Sequence, residues 1–201
     1  MATKHRIFIA INFLPEIKKE FLFYQKKWED LPVRWTKEDN LHLTLVFIGY
    51  VEDEGLLKIL ETTKEIAKNS QPFFIHFQRI LLGPPGRTPR MFWVEGEKNQ
   101  ELSVLRNNLE KELSGLKARQ EFREFKVHIT IGRIKILEWR QLQKKPRIEE
   151  KISITVPVNS IEVMESKLKP TGPDYFVLES IKLGPLSFSK KKGDPTSKEK
   201  I

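Results

Sequence analysis

Two short stretches of this chain carry residues suited to acid–base chemistry in matching frames. Leu41-His42-Leu43-Thr44-Leu45 and Val127-His128-Ile129-Thr130-Ile131 both read apolar–His–apolar–Thr–apolar. They use two of the four histidines in 201 residues, and the two His lie 86 positions apart. In a β-strand, side chains alternate faces, so residues i and i+2 share one. His42 and Thr44 therefore point one way and Leu41, Leu43 and Leu45 the other. The second copy does the same with His128 and Thr130. Each strand buries an aliphatic face and offers an imidazole and a hydroxyl on the opposite one.

If the two faces meet in one cleft, the set suits phosphodiester chemistry. Opening a cyclic phosphate needs a proton taken from the attacking water and a proton given to the departing ribose oxygen. Histidine does both, because its pKa near ~6.5 keeps both forms populated around neutrality. Threonine hydroxyls can donate to the non-bridging oxygens, and an arginine can hold the charge that grows there. Arg133 is the candidate, five residues after His128 at the end of the same strand. Neither frame has an acidic residue beside its His or Thr, so no metal site is expected. The plain structural alternative is a pair of strand histidines on half-polar faces. A single His-x-Thr is common by chance; two in matched frames are not.

The surrounding elements follow from periodicity. A first strand is expected over Arg6–Phe13, then a helix opened by Pro15 with Ile17, Phe21, Tyr24 and Trp28 along one stripe and Pro32 as its end. Trp35–Asn40 reads as a polar approach to a strand over Leu41–Phe47, ending at Gly49. A second helix is expected over Glu54–Asn69, with Leu57, Leu60, Lys64 and Ala67 on one face. Phe73–Leu82 and Arg90–Glu95 read as strands on either side of the Gly83-Pro84-Pro85-Gly86 break. Leu102, Leu105, Leu109 and Leu113 mark a third helix, stopped near Gly115. Strands are expected over Phe125–Ile134, Ile152–Met164 and Asp174–Leu183, with a short helix in Leu137–Lys145. Pro157 argues for an edge or a bulge. The short connections favour an α+β fold with antiparallel sheets and helices packed on one side.

Composition narrows the class. The chain fits one domain of two lobes over residues 1–189, followed by a basic tail at 190–201 with no apolar pattern, expected to be disordered. Cysteine is absent, which removes disulfides, thiolate catalysis and Cys-ligated metals and fits a reducing compartment. No secretory leader and no membrane-length apolar run is seen, so the expectation is a soluble, cytoplasmic protein without membrane association. The net charge is +9, of which the tail supplies +3. A basic body suits a polyanion such as RNA, and solubility alone would explain it equally well.

The two motif copies, together with Arg6-Ile7-Phe8-Ile9-Ala10-Ile11, Trp35, Arg90-Met91-Phe92-Trp93, Gly132-Arg133 and Met164-Glu165-Ser166-Lys167-Leu168 before Tyr175, resemble the two-histidine phosphoesterase superfamily. Within it, the chain resembles the RNA 2′,3′-cyclic phosphodiesterase branch, also called 2′-5′ RNA ligases. The resemblance runs to about Leu186. It implies two similar lobes, each an antiparallel sheet with outer helices, around a central cleft. It implies RNA with 2′,3′-cyclic phosphate ends as substrate, a 2′-phosphomonoester product, no cofactor and no metal. It implies His42 as proton donor to the 3′ oxygen and His128 as the base that activates water, with the reverse reaction joining RNA ends. Symmetry of the motif by itself leaves the two roles exchangeable. Many members have Pro where this chain has Val127, a change that touches strand pairing more than chemistry.

Other readings stay open at this point. His5 is expected to be exposed, and His76 lacks a Thr partner. Trp93 and Trp35 are candidates for base stacking, while Phe8 and Phe47 are expected in the core. Arg87, Arg90 and the lysine-rich tail are candidate phosphate contacts. An RNA-end-binding module without catalysis, or a phosphodiesterase for 2′-5′ oligonucleotides, would use the same cleft. A monomer is expected.

Overall fold

The computed structural model describes residues 4–86, 88–117, 124–170 and 172–184. Arg87 and the tail lie outside these residues. Within them, nine strands and four helices follow in the order β1 (His5–Asn12), α1 (Pro15–Lys26), β2 (Val33–Trp35), β3 (His42–Val51), α2 (Asp53–Lys68), β4 (Phe73–Gly83), β5 (Met91–Gly96), α3 (Gln100–Glu112), β6 (His128–Ile134), α4 (Ile136–Gln141), β7 (Glu149–Val158), β8 (Ser160–Lys169) and β9 (Gly172–Lys182). They form two antiparallel sheets, ordered β3-β1-β8-β9 and β2-β6-β5-β4-β7. Setting β2 aside, the second order repeats the first: β6 stands where β3 does and β5 where β1 does. The fold is α+β, with two repeated units.

The strands alternate as their sequence demands. Leu43 and Leu45 are buried while His42 and Thr44 are half-buried; Ile129 and Ile131 are buried while His128 and Thr130 are half-buried. The aliphatic faces of both sheets join one continuous core with Phe21 of α1, Ile59 of α2 and Leu102, Leu105 and Leu109 of α3. Phe13, Phe21 and Phe77 meet edge-on within it at centroid distances of 5.8–6.1 Å and tie β4 to the start of α1. Each fully buried side chain of this size contributes roughly 1.5–3 kcal/mol. Among the described residues no helix is long and apolar enough to cross a membrane.

Five sequence expectations need correction. Ahead of β3, where only a polar approach is expected, Val33–Trp35 forms a three-residue edge strand on β6. Ile152–Met164 is not one strand. β7 ends at Val158 and β8, in the other sheet, begins at Ser160. The core positions 152, 154, 156 and 158 give way to 161 and 163 in the same core, while 162 and 164–166 are buried outside it, so the core alternation changes parity where the chain crosses over. Pro157 does sit on an edge strand, since β7 ends its sheet. In α2 the buried face is Ile59, Thr63 and Ala67, and Leu57 is exposed. A hydroxyl can lie on that face because Thr63 Oγ1 donates to the Ile59 carbonyl at 2.6 Å. Finally, α1 stops at Lys26, so Trp28 packs from the following turn, and β6 begins at His128 rather than Phe125.

Candidate active site

His42 opens β3 and its ring is held from both sides. Nδ1 lies 2.8 Å from the Asn40 carbonyl, which can only accept, so Nδ1 carries the proton. Nε2 of the neutral ring then accepts from Thr44 Oγ1 at 2.9 Å. His128 opens β6 in the same way, with Nδ1–H donating to the Lys126 carbonyl at 2.8 Å. In both copies the carbonyl two residues earlier fixes the tautomer that leaves Nε2 as the nitrogen without a proton. Beneath the rings the two copies differ. His42 sits in an aromatic corner of Phe8 and Tyr175, each 5.0 Å from it. His128 stacks on Trp93 at 3.9 Å. Trp93 in turn lies over Gly83, where an added Cβ would stand 2.2 Å from the indole, so only glycine leaves room for that platform.

Arg133 reaches the same face through a bulge. Five residues after His128, plain alternation would turn it to the core. The β5–β6 register pairs Trp93 with Thr130 and Phe92 with Gly132, leaving Ile131 as an extra residue. That insertion resets the parity and sends the exposed Arg133 into the cleft. Gln25 of α1 braces it: its Nε2 donates to the Ile131 carbonyl at 2.9 Å and to the Thr36 carbonyl at 2.8 Å. The first copy has the same device. β3 skips Leu45 between Thr44 and Val46, and the residue five after His42 is Phe47. Phe47 is 61% exposed and lines the cleft, against the expectation that it is core; Phe8, 2% exposed, fulfils it. One geometry, written twice, presents an aromatic ring on one side and a guanidinium on the other. Comparing the two copies at that fifth position was the signal that would have revealed Phe47.

His42, Thr44, His128, Thr130 and Arg133 all line a single cleft of about 790 Å³. Arg34, Trp35, Phe47, Met91, Trp93 and Tyr175 complete much of its wall. Arg133 Nη1 and Thr130 Oγ1 both approach Met91 Sδ, at 3.6 and 3.8 Å. The exposed Arg90 does not line it. Neither do the other two histidines. His76 meets Thr155 at 3.0 Å, and His5 bridges Glu165 and Asp53 at 2.8 and 2.9 Å, so it is engaged rather than simply exposed. Among the described residues no three His, Cys, Asp or Glu come together as a metal cluster would.

Burial sets the charge state of the site. It pushes His42 down to about 4; the Asn40 carbonyl opposes the shift, while Lys18, Arg133 and His128 add to it. Burial also lowers His128, with the Lys126 carbonyl and Glu95 pulling the other way. Both rings are therefore neutral near pH 7 in the ligand-free protein, and an anion between them would raise both.

Comparison with known proteins identifies the family and the fold. A family model described as LigT like phosphoesterase matches the chain twice, over residues 13–93 and 94–175, so each match holds one His-x-Thr frame. A Methanocaldococcus jannaschii protein named RNA 2′,3′-cyclic phosphodiesterase is 30% identical over 177 residues, covering 87% of this chain and 98% of that relative. One of the same name from Thermotoga maritima is 33% identical over 188 residues, covering 86% and 92%. A crystal structure of a Thermus thermophilus protein superposes with a TM-score of 0.78 at 26% identity, covering 90% of this chain and 99% of the other.

Proposed function

The chain belongs to the LigT-like phosphoesterase family, and from that premise we propose that it opens RNA 2′,3′-cyclic phosphate ends to 2′-phosphomonoesters. The observation that carries the reading is the convergence of both His–Thr pairs and Arg133 on one cleft. A cyclic phosphate seated there lies between two Nε2 atoms. His128 takes a proton from water as the water oxygen bonds to phosphorus. The bond from phosphorus to O3′ breaks, and His42 gives O3′ a proton. Thr44 and Thr130 hydroxyls and the Arg133 guanidinium meet the charge on the non-bridging oxygens. In this reading no metal takes part, and a 5′-hydroxyl attacking the cyclic phosphate in place of water, with the same P–O3′ bond breaking, would join two RNA ends through a 2′-5′ linkage.

The division of roles depends on the substrate's own charge. In the empty cleft Glu95 helps His128 hold a proton, while Lys18 and Arg133 discourage one on His42. A bound phosphate occupies Arg133 and supplies the negative charge that lets His42 enter as the acid. A substrate whose leaving oxygen is a nitrophenolate needs no acid, so it should restore turnover to His42→Ala and not to His128→Ala.

Phosphorus NMR of an RNA with a cyclic-phosphate end, incubated in EDTA, tests the whole reading. A single 2′-phosphomonoester is expected, and either His→Ala variant should slow its appearance by roughly 10²–10⁴. A 3′-phosphate product, or full activity in either variant, would overturn it.

A further inference from the structure

Nothing in the sequence singles out Arg34, yet it stands directly opposite Arg133 in the β2–β6 pair and lines the same cleft. Like charges at opposed positions of an antiparallel pair repel, and an anion held by either guanidinium relieves that repulsion. Among the described residues no carboxylate pairs with either guanidinium. The cleft's own acids are taken: Asp174 by Lys169 at 2.5 Å, Glu124 by Lys98 at 3.9 Å, and Glu110 by Lys117 and by Arg106 at 3.0 Å.

The two arginines also diverge. Arg133 leans on Met91, beside Thr130. Arg34 reaches the other way, to the start of β9, where a Cβ on Gly172 would stand 3.6 Å from its Nη1. The charges bearing on His42 include Arg133, whereas Arg34 is not among them. Arg34 thus belongs to the cleft but stands off from the reacting phosphorus. An anion there is a second phosphate, not the first.

We infer that Arg34 grips the phosphodiester immediately upstream of the cyclic end, making this site selective for the end of a strand over a cyclic mononucleotide. The inference rests on the function proposed above and names its substrate class. Two substrates separate the possibilities: adenosine 2′,3′-cyclic phosphate, which has no upstream phosphate, and the adenylyl dinucleotide ending in the same group, which has one. The wild type should favour the dinucleotide in kcat/KM. In Arg34→Gln that preference should fall roughly tenfold or more, as expected for one charge-assisted contact. The change should sit in KM, and the salt dependence of log KM for the dinucleotide should lessen by about 0.7. Arg34→Lys should recover part of the preference. A loss shared equally by both substrates would mean that Arg34 serves the reacting phosphate or the fold, and the inference fails. It fails too if wild type and variant treat the two substrates alike. A wild type inactive on both would instead sink the proposed function itself.

Discussion

The histidines of this chain occupy opposed electrostatic settings, and each setting has a pH signature. His5 is raised above 6.5, chiefly by its hydrogen bond to Glu165 and then by that to Asp53. A raised folded-state pKa means that the native protein holds a proton the unfolded chain releases. The stabilisation is therefore full below 6.5 and disappears as pH rises through the folded value. Thermal unfolding of His5→Gln should show a larger Tm loss at about pH 5.5 than at about pH 9; equal losses would show that the bridge carries no charge. His42 and His128 run the other way. Both are lowered by burial in the free protein, so the bell of kcat/KM, which reports free-enzyme groups, should centre on the acid side of ~6.5. Bound phosphate raises both rings, so the bell of kcat should centre at higher pH. Profiles measured on a cyclic-phosphate dinucleotide check this, and coincident bells would contradict burial as the controlling cause.

At the scale of elements, a single extra residue decides which side chains at the end of β6 face the cleft. Gln25 satisfies the carbonyl of that residue from inside the core. Gln25→Leu leaves the Ile131 carbonyl with only the Thr36 N–H at 2.9 Å, and the Thr36 carbonyl without the amide. A loss of about 1–3 kcal/mol in urea unfolding is expected, with a fall in kcat/KM at conditions where the variant stays folded, because Arg133 is no longer held toward the cleft. Unchanged activity in a folded variant would show that the bulge stands without its brace. This bulge also marks where sequence reading stops. His42, Thr44, His128 and Thr130 were legible because i, i+2 spacing survives any strand. Arg133 was legible only as a type of residue at a strand end, since odd spacing gives the wrong face until Ile131 is known to be extra. Phe47 was misplaced for the same reason, and Arg34 was hidden because a three-residue strand leaves no periodicity to read.

Across the whole molecule, the doubled α+β plan followed from the two motif copies and the turn punctuation, and the first strand and third helix fell near their expected bounds. What periodicity could not supply was which strand joins which sheet. Alternation reports burial on one face and is blind to the neighbour at the edge, so the passage from β7 to β8 was invisible except as a change of parity. The observed threading has a mechanical consequence. The chain passes between the sheets four times, from β1 to β2, back to β3, on to β4 and again from β7 to β8, and the two sheets share their apolar interior. Parting the two sheets would expose that shared interior to water, so the aperture between them is held by the same burial that holds the fold.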